Sequence, residues 1–424
     1  MADTVRLGKV AKVISGYAFK SSAFTNSGVP VIKIANIRVG NVDLQGCQYV
    51  SQDCIDAIDE KYRISAGDVL ISLTGSQITQ PNSVVGRVAR QSRNAPLCLL
   101  NQRVGKVIIQ NPENCDKSFV YYALFRPETR RLLASMGHGA ASQANVSPSQ
   151  VETLEIPSLT IQHQRRIGAI LSARDDLIEN NTRRIQILEE MARRIYEEWF
   201  VQFRFPGNEN GRLVETELGL APDNWEVQSV TRLIEFDPRT SVPKEGTKPF
   251  VPMSSLAENS MLISEIESRA GNSGSKFKSG DTLFARVTPC LENGKTGFVD
   301  FLPNDDAVAF GSTEYIVLRS RTVTPEFVYL TARSERFRQH AIKSMSGATG
   351  RQRVRVDSFT EYLLAQPDSE TLGKFSKVVS PMFKSISCLA KKNANLRTTR
   401  DLLLPKLISG EIDVSGLHIK MDGG

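Results

Sequence analysis

Words in the first half of the chain recur in the second half, in the same order and at nearly the same distance. Phe119-Val120-Tyr121 returns 208 residues later as Phe327-Val328-Tyr329. Gly67-Asp68-Val69-Leu70 returns 213 residues later as Gly280-Asp281-Thr282-Leu283. Gly86-Arg87-Val88 precedes Gly297-Phe298-Val299 by 211, and Gly137 with Gly347, Val146 with Val356 and Pro157 with Pro367 pair at 210. Any one match is cheap. A shared order, at an offset close to half of 424 residues, reads as a duplication, and the chain is expected to fold as two copies of one unit.

Each copy reads as a β-rich module followed by a long helix. Val29–Ile34 and Asp68–Leu73 are short apolar runs bounded by Gly and Pro, with counterparts in Pro249–Met253 and Asp281–Ala285. A short helix near Phe119–Met136 and another near Pro325–Met345 close the modules. The long helices carry a 4-3 spacing. The first runs Ile167, Leu171, Arg174, Ile178, Asn181, Ile185, Leu188, Ala192, Ile195, Trp199. The second runs Phe375, Val379, Met382, Ile386, Leu389, Asn393, Leu396, Arg400, Leu403, Leu407. A period of 3.5 held over four heptads predicts a coiled-coil seam, in which a polar Asn fixes register at some expense of stability. Pro381, with Ser380 as its cap, is expected to begin or kink the second helix, and Pro405 to end or bend it. The fold class is α+β: two duplicated β-rich domains separated by two long antiparallel coiled-coil helices, a pseudo-twofold dumbbell.

The chemistry inventory is thin. No nucleotide-binding loop survives, because Gly294-Lys295-Thr296 has Pro289 where the earlier glycine is required. GxGxxG after a strand, GxSxG, HExxH and the Asn/Asp-Pro-Pro-aromatic word of amino-methyltransferases are absent. Six cysteines (47, 54, 98, 115, 290 and 388) contain no CxxC pair and read as ordinary reduced thiols, and the four histidines (138, 163, 340 and 418) stand apart. No metal ligand set and no catalytic residue is expected. The start Met1-Ala2-Asp3-Thr4-Val5-Arg6 has no signal-peptide core and no run of 18 apolar residues exists, so a cytoplasmic protein is expected.

Matching polar loops occupy both halves instead. The first has Lys33, Asn36 and Arg38; Thr74, Ser76 and Gln77; Asn101, Gln102 and Arg103; and Gln143 and Asn145. The second has Ser254 and Ser255; Arg286 and Thr288; Ser312 and Thr313; and Arg351, Gln352 and Arg353. Gln and Asn read adenine edges, Arg reads guanine, and Ser or Thr bonds either, while nearby cations hold phosphates. Lys plus Arg number 53 against 46 acidic residues, a net +7, and Ala332–Val356 alone holds seven Lys or Arg and one Glu. Loops are polar whatever they do, and a charge run is ordinarily a solvated face. Two such loop sets on a duplicated frame favour double-stranded DNA as the ligand.

Three further words are specific. Residues 185–200 read Ile-Gln-Ile-Leu-Glu-Glu-Met-Ala-Arg-Arg-Ile-Tyr-Glu-Glu-Trp-Phe, residues 216–225 read Thr-Glu-Leu-Gly-Leu-Ala-Pro-Asp-Asn-Trp, and residues 400–412 read Arg-Asp-Leu-Leu-Leu-Pro-Lys-Leu-Ile-Ser-Gly-Glu-Ile. With them the chain resembles, over essentially its whole length, the DNA-sequence specificity subunit of type I restriction-modification enzymes. The resemblance implies target-recognition domains at 1–158 and 206–368, with spacer helices at 159–205 and 369–424. It implies a bipartite DNA site, two adenine-specific methyltransferase subunits and restriction/translocase subunits as partners. S-adenosylmethionine, ATP and Mg²⁺ would be cofactors of those partners, and this chain a non-catalytic reader. Ile178, Asn181, Ile185, Leu188, Ile195, Trp199, Ile386, Leu389, Asn393, Leu396 and Leu403 are the expected helix-pairing and partner residues. Lys391-Lys392 replaces acidic and amide residues of the first helix, so the two docking faces need not be equivalent. Two alternatives stand beside this reading: the specificity chain of a related enzyme whose partner fuses methyltransferase and nuclease, and a coiled-coil scaffold whose modules bind protein.

Overall fold

The computed structural model describes residues 3–76, 85–137, 143–209, 211–348 and 352–417. Contacts divide the chain into two compact units, 1–179 with 394–424, and 180–393. Each holds one β-rich module and portions of both long helices.

In the first unit, strands Ala11–Ser15, Val104–Ile109, Val69–Ser72 and Val88–Arg90 pair antiparallel in that order, and the short strand Gly40–Asn41 adds a parallel edge. A second sheet sets Val29–Ile32 parallel to Cys98–Leu100, flanked by Gln48–Val50 on one side and Arg63–Ile64 on the other. In the second unit, Ile234–Phe236, Tyr315–Ser320, Thr282–Ala285 and Thr296–Phe298 repeat the first order. Thr247–Val251 runs parallel to Val308–Gly311, flanked by Glu267–Ala270 and Ser275–Lys278, and repeats the second. Val29–Ile32, Val69–Ser72 and Thr282–Ala285 are buried at every position, which is why they read as apolar runs rather than alternating ones.

The ladders correct two of the equivalences expected from sequence. Val88 lies opposite Ile71 and Thr296 opposite Phe284, which aligns Gly86 with Gly294 rather than Gly297. Both have positive φ, +70° and +77°, the conformation that favours glycine at these turns. The Val146 amide donates to the Leu73 carbonyl at 2.8 Å and Val354 donates to Arg286 at 2.9 Å, so Val354, not Val356, is the counterpart of Val146. Insertions of a few residues between strands shift the offset, and pairing register decides it. The predicted short helices are each two. Lys117–Phe125 and Pro127–Met136 break at Arg126, held extended before Pro127. Pro325–Arg333 and Glu335–Lys343 break at Ser334, whose hydroxyl caps the second at the Phe337 amide.

The first long helix runs Ile161–Tyr196 and widens into a π turn over Glu197–Val201. The second runs Ser369–Ile408 without interruption. It starts where the Asp368 carboxylate accepts from the Thr371 amide at 2.8 Å, not at Ser380-Pro381, and it passes through Pro405 to end at Gly410 with φ +77°. Pro381 lies on the exposed side of the helix, so the carbonyl its missing N–H leaves free is not trapped in the core. Phe375, Val379, Phe383 and Ile386 are buried on either side of it, so packing holds the helix together.

All twenty seam positions read from the heptads are buried or half-buried. Within the first unit, Ile167 and Leu171 share one core with Leu404, Leu407 and Ile408, and Asp175 pairs with Arg400 at 2.8 Å. Within the second, the Asn181 side chain donates to Asn393 at 2.9 Å, and the rings of Trp199 and Phe375 meet at 6.0 Å. As one helix number rises its partner's falls, so the pairing is antiparallel in each unit.

Candidate nucleic-acid interface

The parallel strand pair of each module determines where the polar loops emerge. In the first unit, Leu100 lies opposite Ile32, and the Asn101 amide donates to the Ile32 carbonyl at 3.2 Å. Lys33–Asn36 and Asn101–Arg103 therefore leave the sheet at one edge. The Leu73 amide donates to the Arg103 carbonyl at 3.0 Å and brings in Thr74–Ser76, which pairs with Gln143–Asn145. The second unit repeats the arrangement. Val251 lies opposite Gly311, Ser312 donates to Val251 at 3.1 Å, Arg286 donates to Glu314 at 3.0 Å, and Val287 bridges Arg353. Loops scattered over more than 100 residues of each module thus converge on one edge.

Burial then sorts the candidates. Gln102, Arg103 and Asn145 are exposed in the first unit, as are Ser254, Thr313 and Arg353 in the second. Arg38 is also exposed but pairs with Asp43 at 3.1 Å. Lys33, Ser76, Arg286, Thr288, Ser312 and Gln352 are half-buried. The Lys33 ammonium touches Gln48 and lies 4.0 Å from the Phe24 ring centre, and burial lowers its pKa. Asn36, Thr74, Asn101 and Ser255 are buried. Asn36 accepts from the Lys33 amide at 3.0 Å and donates to the Asp43 carbonyl at 3.0 Å, while Ser255 donates to the Glu265 carbonyl at 3.1 Å. These two brace their loops from inside. Gln77 and Arg351 lie outside the described residues, as does the side chain of Gln143.

The basic run at 332–356 is largely occupied. Arg333 donates to the Glu258 and Gly294 carbonyls at 2.9 and 2.6 Å, and Arg338 pairs with Glu335. Arg355 pairs with Asp357, and Arg336 lies over the Tyr362 ring. Arg353 forms two hydrogen bonds to Glu314 and so holds that carboxyl below the usual glutamate range. Sequence reading gave no prominence to Arg239 and Lys276, which with Arg286 line a cleft of about 620 Å³ in the second unit. Their only signal is a basic residue after the Asp237-Pro238 turn and another within the strand Ser275–Lys278; three separate chain segments bring them together.

Other buried polar contacts fix each module against its helices. In the first unit Arg90 donates to Ser172 at 2.9 Å and pairs with Asp176 at 2.8 Å, and Tyr122 donates to Asp175 at 2.6 Å. In the second, Glu189 accepts from the Ser260 hydroxyl and the Met261 amide, both at 2.7 Å. Cys47, Cys98 and Cys115 are buried, which pushes their thiols up to about 11, 12 and 11. Among the described residues no group of His, Cys, Asp or Glu side chains is arranged to hold a metal ion, and no helix is long and apolar enough to cross a membrane.

Comparison with known proteins agrees with this architecture. Residues 2–190 match the type I restriction modification DNA specificity domain. The chain is 26% identical over 314 residues to the type I restriction enzyme MjaIX specificity subunit of Methanocaldococcus jannaschii, covering 70% of each. It is 29% identical over 140 residues to the EcoAI specificity subunit of Escherichia coli, covering 31% of this chain and 23% of that one. The crystal structure of the type I restriction-modification S subunit from M. genitalium superposes with a TM-score of 0.58, covering 97% and 96% of the two chains at 15% identity, a likeness of fold.

Proposed function

We propose that the chain is a specificity subunit of the type I restriction-modification kind, as its similarity over residues 2–190 and to the MjaIX subunit supports, and that each unit presents its loop edge to one half of a bipartite duplex DNA site. Gln102, Arg103 and Asn145 would read the first half-site, and Ser254, Thr313 and residues 352–353 the second. The observation that carries this reading is the repeated convergence: the same loops leave the same end of the same parallel strand pair in both units. The paired long helices, locked by Asn181 and Asn393, would fix the distance between half-sites. Two methyltransferase subunits and restriction/translocase subunits would dock on this frame. They would bring the chemistry, with S-adenosylmethionine, ATP and Mg²⁺ bound to them, while this chain supplies recognition without catalysis.

The test is a base-resolved adenine-methylation map of cells with and without the gene, the methyltransferase partner retained and its expression verified. The expected result is loss of one split motif on deletion. A map unchanged by deletion, with an active partner, overturns the reading.

A further inference from the structure

The two modules share a topology but differ where the first strand of each four-stranded repeat ends. In the first unit the strand continues to Ser15 and leads into Tyr17, whose ring meets Phe19 at 5.1 Å and Tyr62 at 5.9 Å. In the second unit it stops at Phe236. Asp237 turns with φ +47°, and its carboxylate accepts from the Val317 amide at 2.9 Å. That turn opens the cleft of about 620 Å³, and Arg239, Lys276 and Arg286 line it together with the hydroxyls of Ser275 and Thr313.

Three cations face this cleft, and its one acid, Asp237, is already bound to backbone. Among the described residues neither Arg239 nor Lys276 makes an ion pair or a side-chain hydrogen bond. The Arg286 guanidinium donates weakly to the Val354 carbonyl at 3.3 Å, and its Nε is buried without a partner. A buried N–H left unpaired is unfavourable unless a ligand meets it. The ladders show that the triad is absent from the first unit: Leu73 stands in place of Arg286, and Arg63, in place of Lys276, has its terminal nitrogens bound to Glu60 and the Ile55 carbonyl, its Nε alone being unpaired.

We propose that Arg239, Lys276 and Arg286 form a phosphate clamp, peculiar to the second module, that grips a backbone phosphodiester of the DNA beside the loops carrying Thr313 and Arg353. The proposal rests on the DNA-binding reading above and deepens it: the two modules hold DNA by different chemistry, and the second supplies the larger share of the salt-dependent affinity. Each cation that neutralises a phosphate contributes about −0.9 to the slope of log affinity against log salt.

The experiment titrates a labelled random-sequence 30-base-pair duplex with the full chain, together with its methyltransferase partner, between 50 and 200 mM salt. Arg239→Gln, Lys276→Gln and their double variant are compared with Lys377→Gln, which removes the same charge from an exposed position on the second long helix. Losing two contacts should flatten the slope by about 1.8, which makes the affinity drop over this fourfold salt range about 12-fold smaller. Lys377→Gln should leave the slope unchanged, and thermal melts establish that the variants are folded. A slope unaltered in the double variant, or lowered equally by Lys377→Gln, overturns the clamp while leaving DNA binding intact. A wild-type complex that binds no duplex even at 50 mM overturns the DNA reading itself. Inorganic tripolyphosphate serves as a second probe. If it binds the wild type and not the double variant while the DNA slope is unchanged, the cleft takes a free polyphosphate and the proposal fails.

Discussion

Asn181 and Asn393 offer a direct test of how the helix pair keeps its register. Both are 3% exposed, and the Asn181 Nδ2 donates to Asn393 Oδ1 at 2.9 Å. Asn393 also donates to Thr182 Oγ1 at 3.2 Å, so it makes one more of these contacts than Asn181 does. Replacing either with Val, a side chain of similar size, leaves a buried amide facing hydrocarbon, at about 1–3 kcal/mol. Replacing both removes the mismatch and is expected to be nearly neutral in stability, with register now free to slip. The chain has two compact units, so the readout is local: native-state amide exchange at residues 178–186 and 389–396. Each single variant should lower protection there by about 5- to 150-fold, Asn393→Val more than Asn181→Val, and the double variant by far less than the two combined. Losses that simply add would refute a coupled pair.

Four other outcomes follow from the geometry. Arg319 meets the 1%-exposed Asp281 with two hydrogen bonds of 2.7 Å, so Asp281→Ala should destabilise the second unit by about 3–5 kcal/mol in thermal melts; a loss under about 1 kcal/mol contradicts this. At Gly86 (φ +70°) an added Cβ would sit 3.0 Å from Leu133 Cβ, whereas at Gly46 (φ +67°) it meets nothing within 4 Å, so Gly86→Ala should lower the melting temperature more than Gly46→Ala. Burial raises the Glu189 pKa, against the Met261 and Ser260 hydrogen bonds and the nearby Arg333. Its stabilising contribution is therefore full below the ordinary glutamate range and is lost as pH rises through the raised value; Glu189→Gln should flatten that decline in stability–pH profiles, and a steeper decline would reverse the assignment. Gln102→Ala with Arg103→Ala should weaken recognition of one half-site by about 1–3 kcal/mol per lost bidentate contact, and equal loss at both half-sites would argue against separate readers.

What was legible in the sequence was what local periodicity encodes. The duplication, the buried strands and both seams follow from residue order, because a heptad or an apolar run dictates its own burial whatever lies far away. The Asn at each seam was visible, whereas the break before Pro127 was not read and the segment was expected as one helix. Pro381 misled because proline's local preference was outweighed by Phe375, Val379, Phe383 and Ile386, all buried around one continuous helix. The candidate site was only half legible. Asn36 and Gln102 are both polar amides in loops, yet one is buried as a brace and the other exposed. Residue type does not distinguish them, since burial depends on which distant strand packs behind each loop. Likewise Gly86 matches Gly294 through ladder register, and Arg239, Lys276 and Arg286 share a cleft because three segments of the second module meet there. By itself, then, the sequence determined the repeat, the helices and their pairing seams, whose signals lie within a few turns or strands of chain. Only the tertiary structure decided which polar side chains face a ligand, because that follows from pairing between segments separated by tens of residues.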